Sequence, residues 1–333
     1  MAPTDARIHL AASLGGHFEL LTALRPAVEG HERVWVTAAE SGADRLRAAG
    51  ENVRDVPRFN RSRPLTAVKN VIGSLALALR ERPRVVVTTG AGSVVAFCVA
   101  ARLLGAKVVF IETMARVTSP SASGRVFSRI AASVVVQWPE MQRVYPGAIV
   151  CRPALWEGVG PAVAPASGGT FVSVGTHRHP FDRLLALVDR AVQEDLLPAP
   201  VTAQSGASRY SPGHYSARPL LSREEMGEAV ESAEYVVCHA GSGIISAALR
   251  SGHKPLVLAR RGRLGEHVDD HQEQIVRKLS ELGLIVPLDG HITDADLASA
   301  REGVRPPSAI GDGLSVQDAL GRELQRLLGA ARP

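Results

Sequence analysis

Short apolar runs recur along the chain. Each is followed by a longer stretch whose apolar positions return every three or four residues. Arg7–Ser13 (RIHLAAS) leads into His17–Glu29 (HFELLTALRPAVE), and Arg33–Ala38 (RVWVTA) into Ser41–Gly50 (SGADRLRAAG). Arg84–Gly90 (RVVVTTG) leads into Val94–Gly105 (VVAFCVAARLLG), before Lys107–Thr113 (KVVFIET) and Ala132–Trp138 (ASVVVQW). The rhythm restarts with Thr170–Thr176 (TFVSVGT), then Phe181–Val192, Ala233–Gly241 (AEYVVCHAG), Ile244–Gly252, Lys254–Arg260 (KPLVLAR), Asp269–Gly283 and Leu284–Leu288. Strands alternating with amphipathic helices predict parallel sheets covered by helices on both faces. Between the two series, Arg152–Gly169 is rich in Pro, Gly and Ala and has no clear period, so it reads as a linker. The predicted organisation is a first domain over 1–155, a linker over 156–169 and a second domain over 170–333. Its closing helix, Ser315–Ala331, can pack back on the first domain.

The two halves echo each other. Val85–Gly105 and Tyr235–Gly252 both read strand, Gly-containing turn, apolar helix, glycine; the turns are Thr88–Ser93 (TTGAGS) and His239–Gly243 (HAGSG). Each half also opens with a strand that enters a helix through glycine, at Gly15-Gly16-His17 and at Gly175-Thr176-His177. Glycine permits a tight turn and lets a ligand approach the backbone. A helix start offers unpaired N–H groups and partial positive charge, which suits phosphate. The plainer reading is a tight strand-to-helix turn set by packing alone. Neither turn is a G-x-G-x-x-G fingerprint or a G-x-x-x-x-G-K-[ST] loop, which argues against a standard NAD enzyme or a P-loop ATPase.

Composition narrows the field further. The 333 residues, 45% hydrophobic and 21% charged, are those of a globular chain long enough for two domains. A formal charge of +5 suits an anionic ligand or an anionic membrane surface. Nucleic acid is not expected, because the basic residues are not interleaved with aromatics and no helix-turn-helix or zinc-finger spacing occurs. Cys98, Cys151 and Cys238 are odd in number and form no CxxC, so reduced buried thiols are expected, as in a cytoplasmic protein. The N-terminus lacks the apolar core of a signal peptide, and no apolar run approaches the roughly 20 residues needed to cross a bilayer. The expected location is therefore cytoplasmic, or peripheral at the inner face of the cell membrane.

Several motifs in order carry a family resemblance. His239–Val276 (HAGSGIISAALRSGHKPLVLARRGRLGEHVDDHQEQIV), with Phe171–Leu185 (FVSVGTHRHPFDRLL) upstream, resembles the catalytic subunit of the two-subunit N-acetylglucosaminyltransferase that extends a dolichol-pyrophosphate-linked sugar. The form Gly265–Gln272 (GEHVDDHQ) is most similar to bacterial exopolysaccharide relatives. Ser13–Leu21 (SLGGHFELL), the Thr88–Gly105 turn and helix, Phe110–Phe127 and Val135–Met141 resemble the membrane-recruiting partner subunit. The resemblance runs from about Ile8 to Leu288, as though both subunits were fused. The lipid II-forming transferase of peptidoglycan synthesis is a more distant relative. The resemblance implies a GT-B fold, with two Rossmann-like doubly wound domains facing an interdomain cleft.

It also implies an inverting transferase that uses a UDP-sugar as co-substrate and needs no metal or other cofactor. Helix N-termini and backbone donors then stabilise the departing UDP. The candidate donor-binding residues are Gly241, Ser242 and Gly243, with Gly175, Thr176 and His177 from the other turn. His239 either orients its turn or touches phosphate. Glu266, His267, His271 and Gln272 belong to the donor-sugar motif, while Asp269 and Asp270 are candidate caps for the following helix. His267 and His271 stand four apart, but no HExxH is present, so no metal is expected. One departure matters: relatives often carry a ribose-binding Glu in the helix after the glycine turn, and Ile244–Gly252 has no acid.

The acceptor hydroxyl needs a general base. His17, just after Gly15-Gly16, is the first candidate, with Glu19 and Glu112 as rivals and Arg116 as a partner for Glu112. Gly15, Gly16, Gly90 and Arg116 are the acceptor-side candidates. Arg61–Arg84 sets an apolar core, Val71–Leu79, between basic ends. It reads either as a helix packed on the sheet with solvated arginines, or as one lying on an anionic membrane. In either case Arg58, Arg61 and Arg63 are placed to attract an acceptor phosphate. The leading acceptor is a lipid-linked polyprenyl-pyrophosphate saccharide. The alternatives are transfer to a small natural product, a UDP-sugar epimerase, and a non-catalytic sugar-nucleotide sensor.

Overall fold

The computed structural model describes residues 7–13, 15–38, 41–60, 63–156, 168–304 and 313–329. The chain divides into two compact units, Met1–Ala154 with Asp312–Pro333, and Leu155–Gly311. Most of the 156–169 stretch read as a linker, residues 157–167, lies outside the described residues, as does Arg61.

In the first unit the elements run β1 (Ile8–Ala12), α1 (Gly16–Ala23), β2 (Arg33–Ala38), α2 (Ser41–Ala48), β3 (Val53–Val56), α3 (Pro64–Glu81), β4 (Val85–Gly90), α4 (Gly92–Leu103), β5 (Lys107–Ile111), α5 (Gly124–Ile130), β6 (Ser133–Val136) and β7 (Ile149–Val150). All seven strands are parallel, in the order β3-β2-β1-β4-β5-β6-β7. This is a doubly wound sheet whose order reverses between β1 and β4. Alternate residues of the central strands (Ile8, Leu10, Val85, Val87, Val109, Ile111) meet Phe18 and Leu21 of α1 in one core. The C-terminal helix, Val316–Gly329, closes that core with Val316, Leu320 and Leu324, four residues apart on one face.

The second unit repeats the plan: β8 (Thr170–Ser173), α6 (Asp182–Gln193), β9 (Val201–Gln204), β10 (Ala217–Arg218), α7 (Arg223–Ser232), β11 (Tyr235–His239), α8 (Ser242–Arg250), β12 (Leu256–Leu258), α9 (His271–Glu281), β13 (Val286–Pro287) and α10 (Asp294–Arg301). Its parallel order, β10-β9-β8-β11-β12-β13, reverses between β8 and β11. Both units are therefore Rossmann-like. The hydrophobic pattern missed β3, β7, β9 and β10 for a common reason. They are short, and β3, β7 and β10 are edge strands, where polar side chains are tolerated. Arg54 and Asp55 of β3 reach Glu81 and Arg47 at 2.7 and 2.5 Å.

α3 packs on the unit with Arg63, Arg80 and Arg82 exposed, as one of its two readings expects, but it also leaves an apolar stripe in the open. Its inward face is Asn70, Ser74, Leu77 and Ala78, packed against α4. Asn70 is buried and donates to the carbonyls of Pro57 and Ser93. Its outward face is Leu65 (76% exposed), Val68, Val71, Ile72 (63%), Leu75 and Leu79. The inward face is thus half polar and half apolar, while an apolar stripe runs the length of the outward face.

Candidate active site

In open α/β sheets ligands bind beyond the carboxyl ends of the strands where the order reverses. Each unit carries a cluster of the candidate residues at that point.

In the first unit β1 and β4 flank the reversal. Gly15 caps α1 with a φ of +94°, a conformation that favours glycine, and Gly16 opens the helix. His17 then faces the end of β4. Its Nδ1 donates to the Thr89 carbonyl at 2.7 Å, and Thr89 Oγ1 donates back to the His17 carbonyl at 2.7 Å. A carbonyl can only accept, so Nδ1 carries a proton, and in the neutral form of the ring the basic nitrogen is Nε2. Gly90, φ +96°, leaves no room for a Cβ beside Ser123. Glu19 is exposed on α1, two residues beyond His17.

Glu112 is placed differently. It is fully buried, and its carboxylate accepts from Thr113 N and Ser121 N, each at 3.0 Å, and from the Tyr145 hydroxyl at 2.7 Å. Burial and this carboxylate push the Tyr145 hydroxyl far above its ordinary range. Glu112 thus holds the loop after β5, on which Arg116 closes a turn onto the Thr113 carbonyl. The three cysteines are buried and form no disulfide, and burial pushes the Cys98 thiol up to about 12.

In the second unit the reversal is flanked by β8 and β11. The His239 ring lies between their two glycine turns. A Cβ at Gly175 (φ +77°) or at Gly241 would collide with that ring. His239 Nδ1 bonds the Ser173 carbonyl at 3.3 Å, and burial first, then Arg260, lowers its pKa to about 4. It is a neutral wedge at neutral pH and brings no positive charge to the turn. Gly241 caps α8, and the Ser242 and Gly243 N–H groups stand in the first turn, where a helix has no internal acceptors for them. Gly243 has nothing within 4 Å of a would-be Cβ, so packing does not explain it.

Two arginines that the sequence reading passed over organise the third loop, after β12. Arg260 is buried under this loop and stacks on Phe181 at 4.6 Å. Its guanidinium donates to the carbonyls of Val174 (2.7 Å), His179 (2.8 Å), Pro180 (3.3 Å) and Glu266 (2.8 Å). Its pKa falls to about 10 through burial. Arg183 grips Glu266 with two bonds of 2.9 Å, and the Arg261 N–H donates to the same carboxylate. Glu266 is therefore a strut of the loop. The signal available in the sequence was an arginine ending an apolar strand beside a glycine turn. Gln272 is buried and its Oε1 accepts from Arg260 N at 2.9 Å.

Asp270 occupies the N-cap position of α9, but its side chain makes no cap bond. It accepts from Gly262 N at 2.6 Å, so the capping role expected of it is corrected to bracing the loop. Asp269 instead meets the His271 N–H at 3.4 Å. The histidines of the two loops converge. His177 stacks on His179 and on His267 at centroid distances of 5.0 and 4.6 Å, and His271 meets His267 edge-on at 4.6 Å. Burial, followed by neighbouring histidine, lowers His177 and His267 to about 4. Thr176 is exposed at the rim.

Residues 49–152 match the family profile "Oligosaccharide biosynthesis protein Alg14 like", and residues 171–286 match "Glycosyltransferase family 28 C-terminal domain". The chain is a glycosyltransferase of GT-B fold. It is related to the Alg14 and MurG-type transferases, and carries the two matched segments in one polypeptide. The mouse UDP-N-acetylglucosamine transferase subunit ALG14 is 26% identical over 174 residues, which is 43% of this chain and 80% of that one. The human subunit is 30% identical over 102 residues, 29% of this chain but only 47% of its own length. Among solved structures, MurG of Acinetobacter baumannii superposes with a TM-score of 0.65 at 17% identity, covering 97% of this chain and all of that one. A UDP-GlcNAc 2-epimerase from Methanocaldococcus jannaschii reaches 0.63 at 11% identity, covering 97% and 100%. Such distant structures share the fold, and the fold alone does not separate transferases from epimerases.

Proposed function

We propose that this chain transfers a sugar from a UDP-sugar to a hydroxyl of a lipid-linked, polyprenyl-pyrophosphate saccharide, with inversion at the anomeric carbon. The observation that carries this reading is the Gly241–Gly243 turn opening α8, where two N–H groups and an open glycine meet at the sheet's point of reversal. The acceptor oxygen forms the new bond to the anomeric carbon as the bond to the UDP β-phosphate oxygen breaks. His17 Nε2 takes the hydroxyl proton. The Ser242 and Gly243 N–H groups stabilise the charge gathering on UDP. Thr176, His271 and the Gln272 amide are the donor-sugar contacts in this scheme, and Gly90 and Arg116 serve the acceptor. NMR of the product tests the single displacement: an α-linked donor gives a β anomer, and a retained α anomer contradicts it.

Two glycine substitutions separate fold from ligand. Gly241→Ala drives a methyl into the His239 ring and lowers the melting temperature. Gly243→Ala meets open space, leaves the melting temperature unchanged or slightly raised, and weakens UDP binding at least 10-fold. Thermal unfolding and calorimetric UDP titration read both. Unchanged UDP affinity in Gly243→Ala removes this turn from the donor site.

The outward stripe of α3 supports the lipid-linked acceptor over a small water-soluble one. No described helix is long and apolar enough to cross a membrane. A stripe that includes Leu65, Val68, Ile72 and Leu75, with Arg63, Lys69, Arg80 and Arg82 on the same segment, suits the surface of an anionic bilayer. The protein is expected to sediment with phosphatidylglycerol vesicles at low salt. Ile72→Glu with Leu75→Glu reduces that binding at least 10-fold without loss of stability. Wild-type protein that ignores such vesicles contradicts the membrane reading.

A further inference from the structure

We propose that His267, Asp269 and His271 form a binding site for a divalent transition metal of the zinc class. One ring nitrogen of each histidine and one carboxylate oxygen of Asp269 lie within 4.8 Å of one another. His271 Nδ1 is hydrogen-bonded to Asp269 Oδ1, and His267 Nδ1 approaches the same oxygen at 3.6 Å. His267 Nδ1 is buried and has no hydrogen-bond partner. A buried imidazole nitrogen left without a partner is costly, and a metal ion supplies what it lacks.

The surroundings hold these groups in place. The His267 ring is stacked on His177, which is stacked in turn on His179. Arg260 fixes the Glu266 carbonyl just before His267, and Gly262 N fixes Asp270 just after Asp269. Two imidazoles and one carboxylate suit zinc, which takes bonds of about 2.0–2.2 Å to such ligands; magnesium and calcium prefer oxygen alone. Closing on the ion requires only small ring rotations from separations of 4.8 Å or less. Three protein ligands leave the fourth tetrahedral position to water. His271 presents Nδ1 to the ion in the tautomer that carries its proton on Nε2, and Asp269 Oδ1 then meets the ion in place of that ring N–H. The H-x-D-x-H spacing is not a zinc-helix motif. The site depends on a loop that turns onto the first residue of α9.

The test uses the full chain, stripped with a chelator and free of any nucleotide, so its outcome is independent of the transferase reading. Calorimetric titration with Zn2+ is expected to show one ion bound per chain. Titration with Co2+ is expected to give the visible absorption of a tetrahedral site. Asp269→Asn and His271→Asn each weaken Zn2+ binding at least 10-fold with circular dichroism unchanged. His291→Asn, an exposed histidine outside the cluster, leaves it intact. His267→Asn serves as the second ligand variant if His271→Asn misfolds. No saturable Zn2+ binding, or binding that survives both Asp269→Asn and His267→Asn, overturns the proposal.

Discussion

His17→Ala is expected to lower kcat by about 10²–10⁴-fold, the usual contribution of a positioned general base, with the donor KM little changed. A reciprocal pair of 2.7 Å bonds joins His17 to Thr89. The ring bond sets the tautomer, which makes Nε2 the basic nitrogen, and the second bond fixes the His17 backbone at the end of β4. The stability cost is small, about 1 kcal/mol for the lost hydrogen bond. Because the base acts only when unprotonated, the acid limb of the pH–rate profile is expected to vanish in the variant. Glu112→Gln provides the contrast. Its amide places a donor against the three donors that the carboxylate accepts, so it loses stability first and activity as a consequence. A His17→Ala enzyme with near wild-type kcat, beside a well-folded but inactive Glu112→Gln, would reverse the two roles.

Arg260→Met is expected to cost about 3–5 kcal/mol and roughly 10 °C in melting temperature, because it takes a buried guanidinium away from four carbonyl acceptors. The guanidinium ties carbonyls from residues 174, 179, 180 and 266 together, and methionine returns none of those bonds. Lysine does not restore them, because one ammonium cannot match a planar fork that spans several acceptors. Thermal unfolding checks the loss. A melting temperature within 2 °C of wild type would show that the loops hold without Arg260.

The sequence carried the rhythm of both sheets because their central strands are nearly continuous apolar runs. Val85–Val87, Val108–Ile111 and Tyr235–Cys238 are all buried. Edge strands such as Val53–Val56 escaped because their polar side chains pair with neighbouring elements instead of alternating. The glycine turns were legible as turns. Their purpose was not, since Gly175 and Gly241 make room for His239 only in the folded chain, while Gly243 faces open space. Glu266 and Asp270 read as ligand and cap, yet their partners, Arg183 and Gly262, are 83 and 8 residues away along the chain. A long-range partner leaves no periodic signal. For α3 two readings stayed open, because its apolar positions show its stripe but not which side the sheet takes.

The most direct test of the central claim is UDP release from a panel of UDP-sugars, with membrane-extracted lipid acceptors, water-soluble acceptors and a no-acceptor control. The account predicts release from one donor that depends on the lipid acceptor and falls with His17→Ala. Donor conversion without any acceptor, or tight UDP binding with no release from any pair, would contradict it.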